Sequence, residues 1–443
     1  VRYIPTTDAE RRTMLDAIGV RSMDDLLAAV PATLRQKAAI ELPAGEPEPD
    51  LMRRLKGLAA KNGDAERVPS FLGAGVYHHF QPAVVPHLAL RAEFLTGYTP
   101  YQPEVAQGTL QAIFEFQTMV AALLGMEIAN ASMYDGSTAL AEAVLMARRI
   151  TKRDRVLLAR SVHPEYREVI RTYARRIGLA IEEVPWSADG TVDPARLPLD
   201  ERVAALVAGY PNVFGVVEPL PALAEAAHRV GALLVTSTPE PVALGLLEGP
   251  GRLGADIATG EGQAFGVPLS YGGPHVGLFA TRERHLRQMP GRLVGETVDA
   301  GGTRGYVLTL STREQHIRRE QATSNICTNS GLIAMIATVH LAALGKTGLA
   351  KLARLNYAKA EYARARLREK GLRLPFAGPT FNEFVVETRG PAANVVRRVL
   401  AAERLVPGLA LARFYPELPQ ALLVCVTEQH PREEVDRLVE ALA

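Results

Sequence analysis

Lysine is scarce in this 443-residue chain: of 50 basic residues, 8 are lysine and 42 are arginine. No lysine lies between Lys152 and Lys346, so chemistry that needs a lysine amine from the middle of the chain is excluded. Cysteine is scarcer still. Cys327 and Cys425 build no disulfide framework, and no C-x-x-C pair offers zinc-binding spacing. Charge of one sign is also lacking. Asp plus Glu total 48, the net charge is +2, and nothing points to nucleic acid or an anionic membrane as a partner. The most apolar long stretch, Gly331 to Gly345, contains His340 and falls short of the ~20 residues a membrane span needs. Asp8, Glu10, Arg11 and Arg12 precede any apolar run, so no secretory leader is expected. The expectation is a soluble cytoplasmic protein. At 47% apolar and 22% charged residues, the chain has ample core for two or three domains.

What is present is regular alternation, framed by irregular segments. Thr7 to Ile18 and Met23 to Val30 read as short helices, and Leu42 to Asp50 (LPAGEPEPD) as a linker. From Pro69 to Pro103 the chain is broken by glycine and proline and dense in aromatic residues, as functional or interfacial loops are. Helix Glu104 to Gly125 opens a strand–helix series. Its strands are expected near Ile128 to Ser132, Arg155 to Ala159, Ala180 to Val184, Val203 to Gly209, Ala232 to Thr236 and Ala255 to Thr259. The runs AALVAG and GALLVT are continuously apolar, like strands covered on both faces, so a mostly parallel sheet with flanking helices is expected. Gly273 to Ala280 adds another strand, read as antiparallel. Helices at Arg313 to Gln321, Ser330 to Leu344 and Leu349 to Glu369 lead to a small α+β tail. The expected domains are an arm and loop region (1–97), a large α/β domain (98–325) and a C-terminal domain (326–443).

Asp135-Gly136-Ser137-Thr138 lies between a strand and a helix. It reads either as a helix N-cap or as a cradle in which hydroxyls and free N–H groups hold an anion. Gly345-Lys346-Thr347 resembles the end of a phosphate loop, but it joins two helices and lacks the first glycine. His78 and His79 are adjacent and would point apart on a regular element, so no metal site is expected.

The runs SFLGAGVYHHF, TGYTPYQPEVAQGTLQAIFEFQT and NASMYDGSTALAEA, with the later GEGQAFGVPLSYGGPHVG and REQATSNICTNSGL, resemble the N-terminal half of glycine decarboxylase, the P-protein of the glycine cleavage system. The length is similar to that of the first (alpha) subunit in the family's two-chain form. The resemblance implies a pyridoxal-phosphate-dependent transferase-like fold of the aspartate-aminotransferase type, an α/β large domain with a small C-terminal domain. It also implies a heteromeric glycine dehydrogenase that decarboxylates glycine and passes the aminomethyl group to the lipoyl arm of the H-protein.

That cofactor needs a lysine for its Schiff base and an acid for its ring nitrogen. Alignment with the catalytic half places Gln263 at the lysine position and Thr236-Ser237 at the acid position, so no catalytic residue is expected within this chain. Gly136, Ser137, Thr138 and His163 match a vestigial cofactor pocket, His163 at the ring-stacking position. Pyridoxal phosphate would be held by a lysine-bearing beta partner, subunit 2, in an α2β2 assembly. Because active sites of this fold lie between subunits, Tyr98, Tyr101, Gln102, Glu104, Asn325 and Thr328 are candidates to reach the partner's site, or else to pack the interface. A self-sufficient pyridoxal-phosphate enzyme and a structural or regulatory paralogue are the alternatives.

Overall fold

Capped short helices open the chain. The computed structural model describes residues 5–38, 42–65, 67–95 and 97–443, and the chain divides into two units, Val1–Gly63 and Asp64–Ala443. In the first unit, α1 (Asp8–Ile18) carries a capping box in which Thr7 and Glu10 answer each other's backbone N–H, and Gly19 ends it at φ 84°. α2 (Met23–Leu26) is shorter than expected, because i+3 turns replace the helix on the approach to Pro31. α3 (Ala32–Lys37) and α4 (Glu48–Ala59) follow. The expected linker ends at Pro47. Glu48, Pro49 and Asp50 instead form the first turn of α4, where proline needs no N–H and acids suit the helix dipole.

In the second unit, α5 (Val84–Ala89) and α6 (Ala92–Leu95) precede α7 (Gln107–Leu124). α7 starts later than expected because Pro103–Val105 forms a 3-10 turn. The Gln107 side chain pins that turn, donating to the carbonyls of Pro103 and Tyr306. Then come β1 (Ile128–Ala129), α8 (Gly136–Thr151), β2 (Arg155–Ala159), α9 (Pro164–Ala174), β3 (Ala180–Val184), β4 (Val203–Gly209), α10 (Leu220–Arg229), β5 (Leu233–Thr238), β6 (Ile257–Glu261) and β7 (Gly277–Thr281). They build one sheet in the order β1-β7-β6-β5-β4-β2-β3. Strands β3, β2, β4, β5 and β6 pair in parallel, and β7 runs antiparallel to both β6 and β1. Every residue of β4 and β5 is buried, which is why neither alternates with polar residues.

A hairpin of β8 (Leu293–Val298) and β9 (Arg304–Thr309) follows; the sequence pattern had not marked it. The helix expected over Arg313 to Gln321 is only α11 (Gln315–Arg318) flanked by 3-10 turns, since Leu310 and Arg319 take positive φ and break it. The two later helices are one, α12 (Gly331–Glu369), kinked at Gly345 (φ 60°, ψ 178°). By length and composition α12 passes for a membrane span, but its second half carries lysines and arginines and buries Leu349, Ala353, Ala360, Ala363 and Leu367 in the protein. The tail holds β10 (Glu383–Glu387), α13 (Ala392–Glu403), β11 (Leu409–Ala410), β12 (Ala421–Cys425) and α14 (Arg432–Leu442), with an antiparallel sheet in the order β10-β12-β11. Val435, Leu438, Val439 and Leu442 of α14 are buried along one face, as their spacing requires.

Candidate functional site

Open parallel sheets place their sites beyond the C-terminal ends of the strands, and here those ends are crowded with polar groups. β6 ends on Glu261, which is buried. Its Oε2 accepts from the N–H of Gly136, the first residue of α8, at 2.8 Å, and its Oε1 accepts from the N–H groups of Gln263 (3.0 Å) and Val276 (3.2 Å). Burial pushes this carboxyl up to about 8, against the pull of those donors. Gln263, also buried, has a saturated amide. Its Oε1 accepts from Tyr77 N–H at 2.8 Å, and its Nε2 donates to the carbonyls of Tyr77 (3.0 Å) and Val267 (2.8 Å). At the end of β5 the hydroxyls of Thr236 and Ser237 are buried without a hydrogen-bond partner.

The Ser137 and Thr138 hydroxyls turn back onto their own cap. Ser137 Oγ donates to Asp135 Oδ1 at 2.6 Å, and Asp135 and Thr138 complete a capping box. Of the two readings of Asp135–Thr138, the helix cap accounts for these contacts. His163 precedes α9, with Nε2 2.7 Å from the Ala74 carbonyl, its ring tilted against Tyr166, and Nδ1 unpartnered. Burial lowers its pKa, so the ring is neutral. It borders a recess of about 320 Å³ shared with Leu72, Ala74, Tyr271 and Arg413.

The segment carrying Tyr77 is tied down from both sides. Tyr77 OH donates to Glu383 at 2.9 Å, and the ring of buried His79 sits between Glu240 (2.9 Å) and Glu428 (2.8 Å). Burial alone would lower the His79 pKa, but the two carboxylates outweigh it and raise it to about 10. Glu240 follows β5 and Glu428 follows β12, so this cation joins the large sheet to the C-terminal tail.

A second cluster holds two of the six residues expected to reach the partner's site, Tyr101 and Thr328. Arg292, which is 3% exposed, stands just before β8 and was not marked by any motif. Its guanidinium donates to Thr328 Oγ1 (2.6 Å), Tyr101 OH (2.8 Å), the Cys327 carbonyl (2.8 Å) and Thr99 Oγ1 (3.2 Å), with buried Glu314 at 3.5 Å behind it. The structure thereby brings Tyr101 and Thr328 together. Gln102, Glu104 and Asn325 stay exposed and outside the cluster, and Tyr98 is 89% exposed. Tyr98, Thr99, Thr328 and Asn329 line a cavity of about 160 Å³. Glu261 was a missed residue with a signal, an acid at the end of an apolar strand between two glycines. Arg292, one of 42 arginines, had none.

The strand order, the crossover helices and the polar strand ends define a pyridoxal-phosphate-dependent transferase-like fold of the aspartate-aminotransferase type. Residues 1–442 match the family model of the glycine cleavage system P-protein. The chain is 51% identical over 443 residues to a probable glycine dehydrogenase (decarboxylating) subunit 1 from Brevibacillus brevis, covering 100% of this chain and 98% of that one. It is similar to a crystal structure of glycine decarboxylase (P-protein) of the glycine cleavage system in inhibitor-bound form, with a TM-score of 0.92, 46% identity and 99% of each chain covered. A sphingosine-1-phosphate lyase from Burkholderia pseudomallei shares the fold at 21% identity, with a TM-score of 0.64 over 91% of this chain and 92% of that one. This chain belongs to the glycine cleavage system P-protein family, as the motifs between residues 66 and 145 led us to expect.

The family's fold implies pyridoxal phosphate, and this chain's own residues do not fit it. Gln263, expected at the amine position, is an amide whose oxygen and nitrogen are both held by backbone groups. Thr236 and Ser237, expected at the ring-nitrogen position, offer neutral hydroxyls, and the first N–H of α8 is already taken by Glu261.

Proposed function

We propose that this chain is the non-Schiff-base subunit of a glycine dehydrogenase (decarboxylating). Together with a lysine-bearing subunit 2 it decarboxylates glycine and transfers the aminomethyl group to the lipoyl arm of the H-protein. Pyridoxal phosphate is bound by the partner's lysine, the assembly is α2β2, and the complex works in the cytoplasm. The observation that carries this reading is the saturated Gln263 in a chain with no lysine from 153 to 345. Support also comes from the family and from the name of the Brevibacillus brevis relative, a subunit 1.

This chain's share is the rim. Arg292 holds the Tyr101 and Thr328 hydroxyls and the Cys327 carbonyl in one place, while Tyr98, Gln102, Glu104 and Asn325 point outward beside them. Such fixed hydroxyls next to a guanidinium suit an anionic group presented from another chain. Glycine–bicarbonate exchange tests the reading: it is expected with this chain and subunit 2 mixed, and absent with this chain alone. Exchange by this chain alone would support the self-sufficient alternative. If exchange by the mixed pair were unchanged by Tyr101→Phe and Thr328→Ala, a structural subunit would be favoured.

A further inference from the structure

We propose that Glu261 is an internal occupant of the anion site at the N-terminus of α8, closing this chain's pocket to phosphate-bearing ligands from within. The first N–H groups of a helix have no partner inside the helix, and they commonly hold a phosphate or carboxylate. In α8, a helix of 16 residues, Asp135 answers Thr138 N–H by ordinary local capping. Gly136 N–H is answered differently, by a carboxyl group 125 positions further along the chain. The same group satisfies the backbone N–H groups of Gln263 and Val276, so one buried acid collects three donors from three segments that meet where the strands end.

No space remains beside it. A carbon added at Gly136 would lie 2.6 Å from Tyr166 Oη, closer than real Cβ atoms approach, and a tight 3.1 Å from the Glu261 Cβ. The Gly136 N–H itself, the donor a phosphate would need, already meets Glu261 Oε2 at 2.8 Å. Two residues on, Gln263 fills the amine position in the same manner, bridging the backbone of Tyr77 and Val267. The chain thus keeps the architecture of a ligand site and supplies the ligand's polar groups from its own side chains. An apolar residue at 261 would leave three buried donors unanswered.

The inference rests on the reading that this chain holds no cofactor, and its test uses inorganic phosphate, which forms no imine. The full-length chain and its Glu261→Ala variant are melted against rising phosphate, with sodium chloride matched for ionic strength. The wild-type midpoint is expected to stay where the matched salt leaves it. The Glu261→Ala chain is expected to melt lower and to recover by several degrees, saturably, as phosphate takes the vacated position. Glu261→Ser opens the same space should the alanine variant not fold, and Glu261→Gln, which keeps an acceptor on Gly136, should stay insensitive. A saturable phosphate response in the wild-type chain, or none in a folded opened variant, overturns the proposal. A borohydride-reducible cofactor adduct on the wild-type chain would instead sink the reading of the function.

Discussion

The inner pocket and the rim are two polar clusters of the same unit with opposite character. Around Glu261 and Gln263 the side chains and backbone satisfy one another and exclude everything else. Around Arg292 the two terminal nitrogens are held by four hydrogen bonds while its Nε has none, and Tyr98, Tyr101 and Asn325 are left facing solvent. The difference teaches where function can reside. A cluster closed on itself contributes stability, and a cluster fixed from behind and open in front can receive a group from another molecule.

Changes at five positions break or sharpen that contrast. The largest effect is expected from Arg292→Leu, which removes four hydrogen bonds and leaves Glu314 buried without its cation. A loss of about 3–5 kcal/mol in urea unfolding is expected, with a smaller loss for Arg292→Lys. His79→Gln comes next. With a folded pKa of about 10 against an ordinary 6.5, His79 contributes stability that is complete below pH 6.5 and lost as pH rises toward 10. The wild-type chain should therefore lose roughly 3–5 kcal/mol across that window, and the variant should show a flatter profile. Glu261 has the same sign in a lower window: its raised pKa of about 8 means that stability falls between pH 4.5 and 8, a slope that Glu261→Gln should reduce.

Gln263→Leu orphans the backbone groups of Tyr77 and Val267 and is expected to cost about 1–3 kcal/mol. Gln263→Lys returns an amine but not the room, so pyridoxal phosphate should give the variant no imine absorbance. The smallest effect on folding belongs to Thr328→Ala, about 1 kcal/mol. Its signature lies in the mixed complex, where cofactor affinity is expected to fall about 10-fold, or ~1.4 kcal/mol. A rim that only packs against the partner would leave that affinity unmoved.

Much of the sheet was legible in the chain, because β4 and β5 are so fully buried that their apolar runs cannot be mistaken for surface. The antiparallel β7 was legible from its flanking glycines. The β8–β9 hairpin was not. Its outer half, Glu296 to Val298, is exposed and shows no apolar run, although Asp299 to Gly302, with Gly302 at φ 83°, carried a turn signal. Missing the hairpin also hid Arg292 at its base, and with it the link between Tyr101 and Thr328. At the inner pocket the gap in lysines from 153 to 345 was plain in the chain, and the family resemblance gave it its meaning. What filled the space was not legible, because the contact of Glu261 with Gly136 joins distant segments and leaves no local pattern.

The central claim is that the amine comes from another chain. Borohydride reduction of the mixed complex without glycine, followed by the intact mass of each subunit, tests it directly. The account predicts a pyridoxyl adduct on subunit 2 and an unmodified mass for this chain. A pyridoxyl adduct on this chain would contradict it.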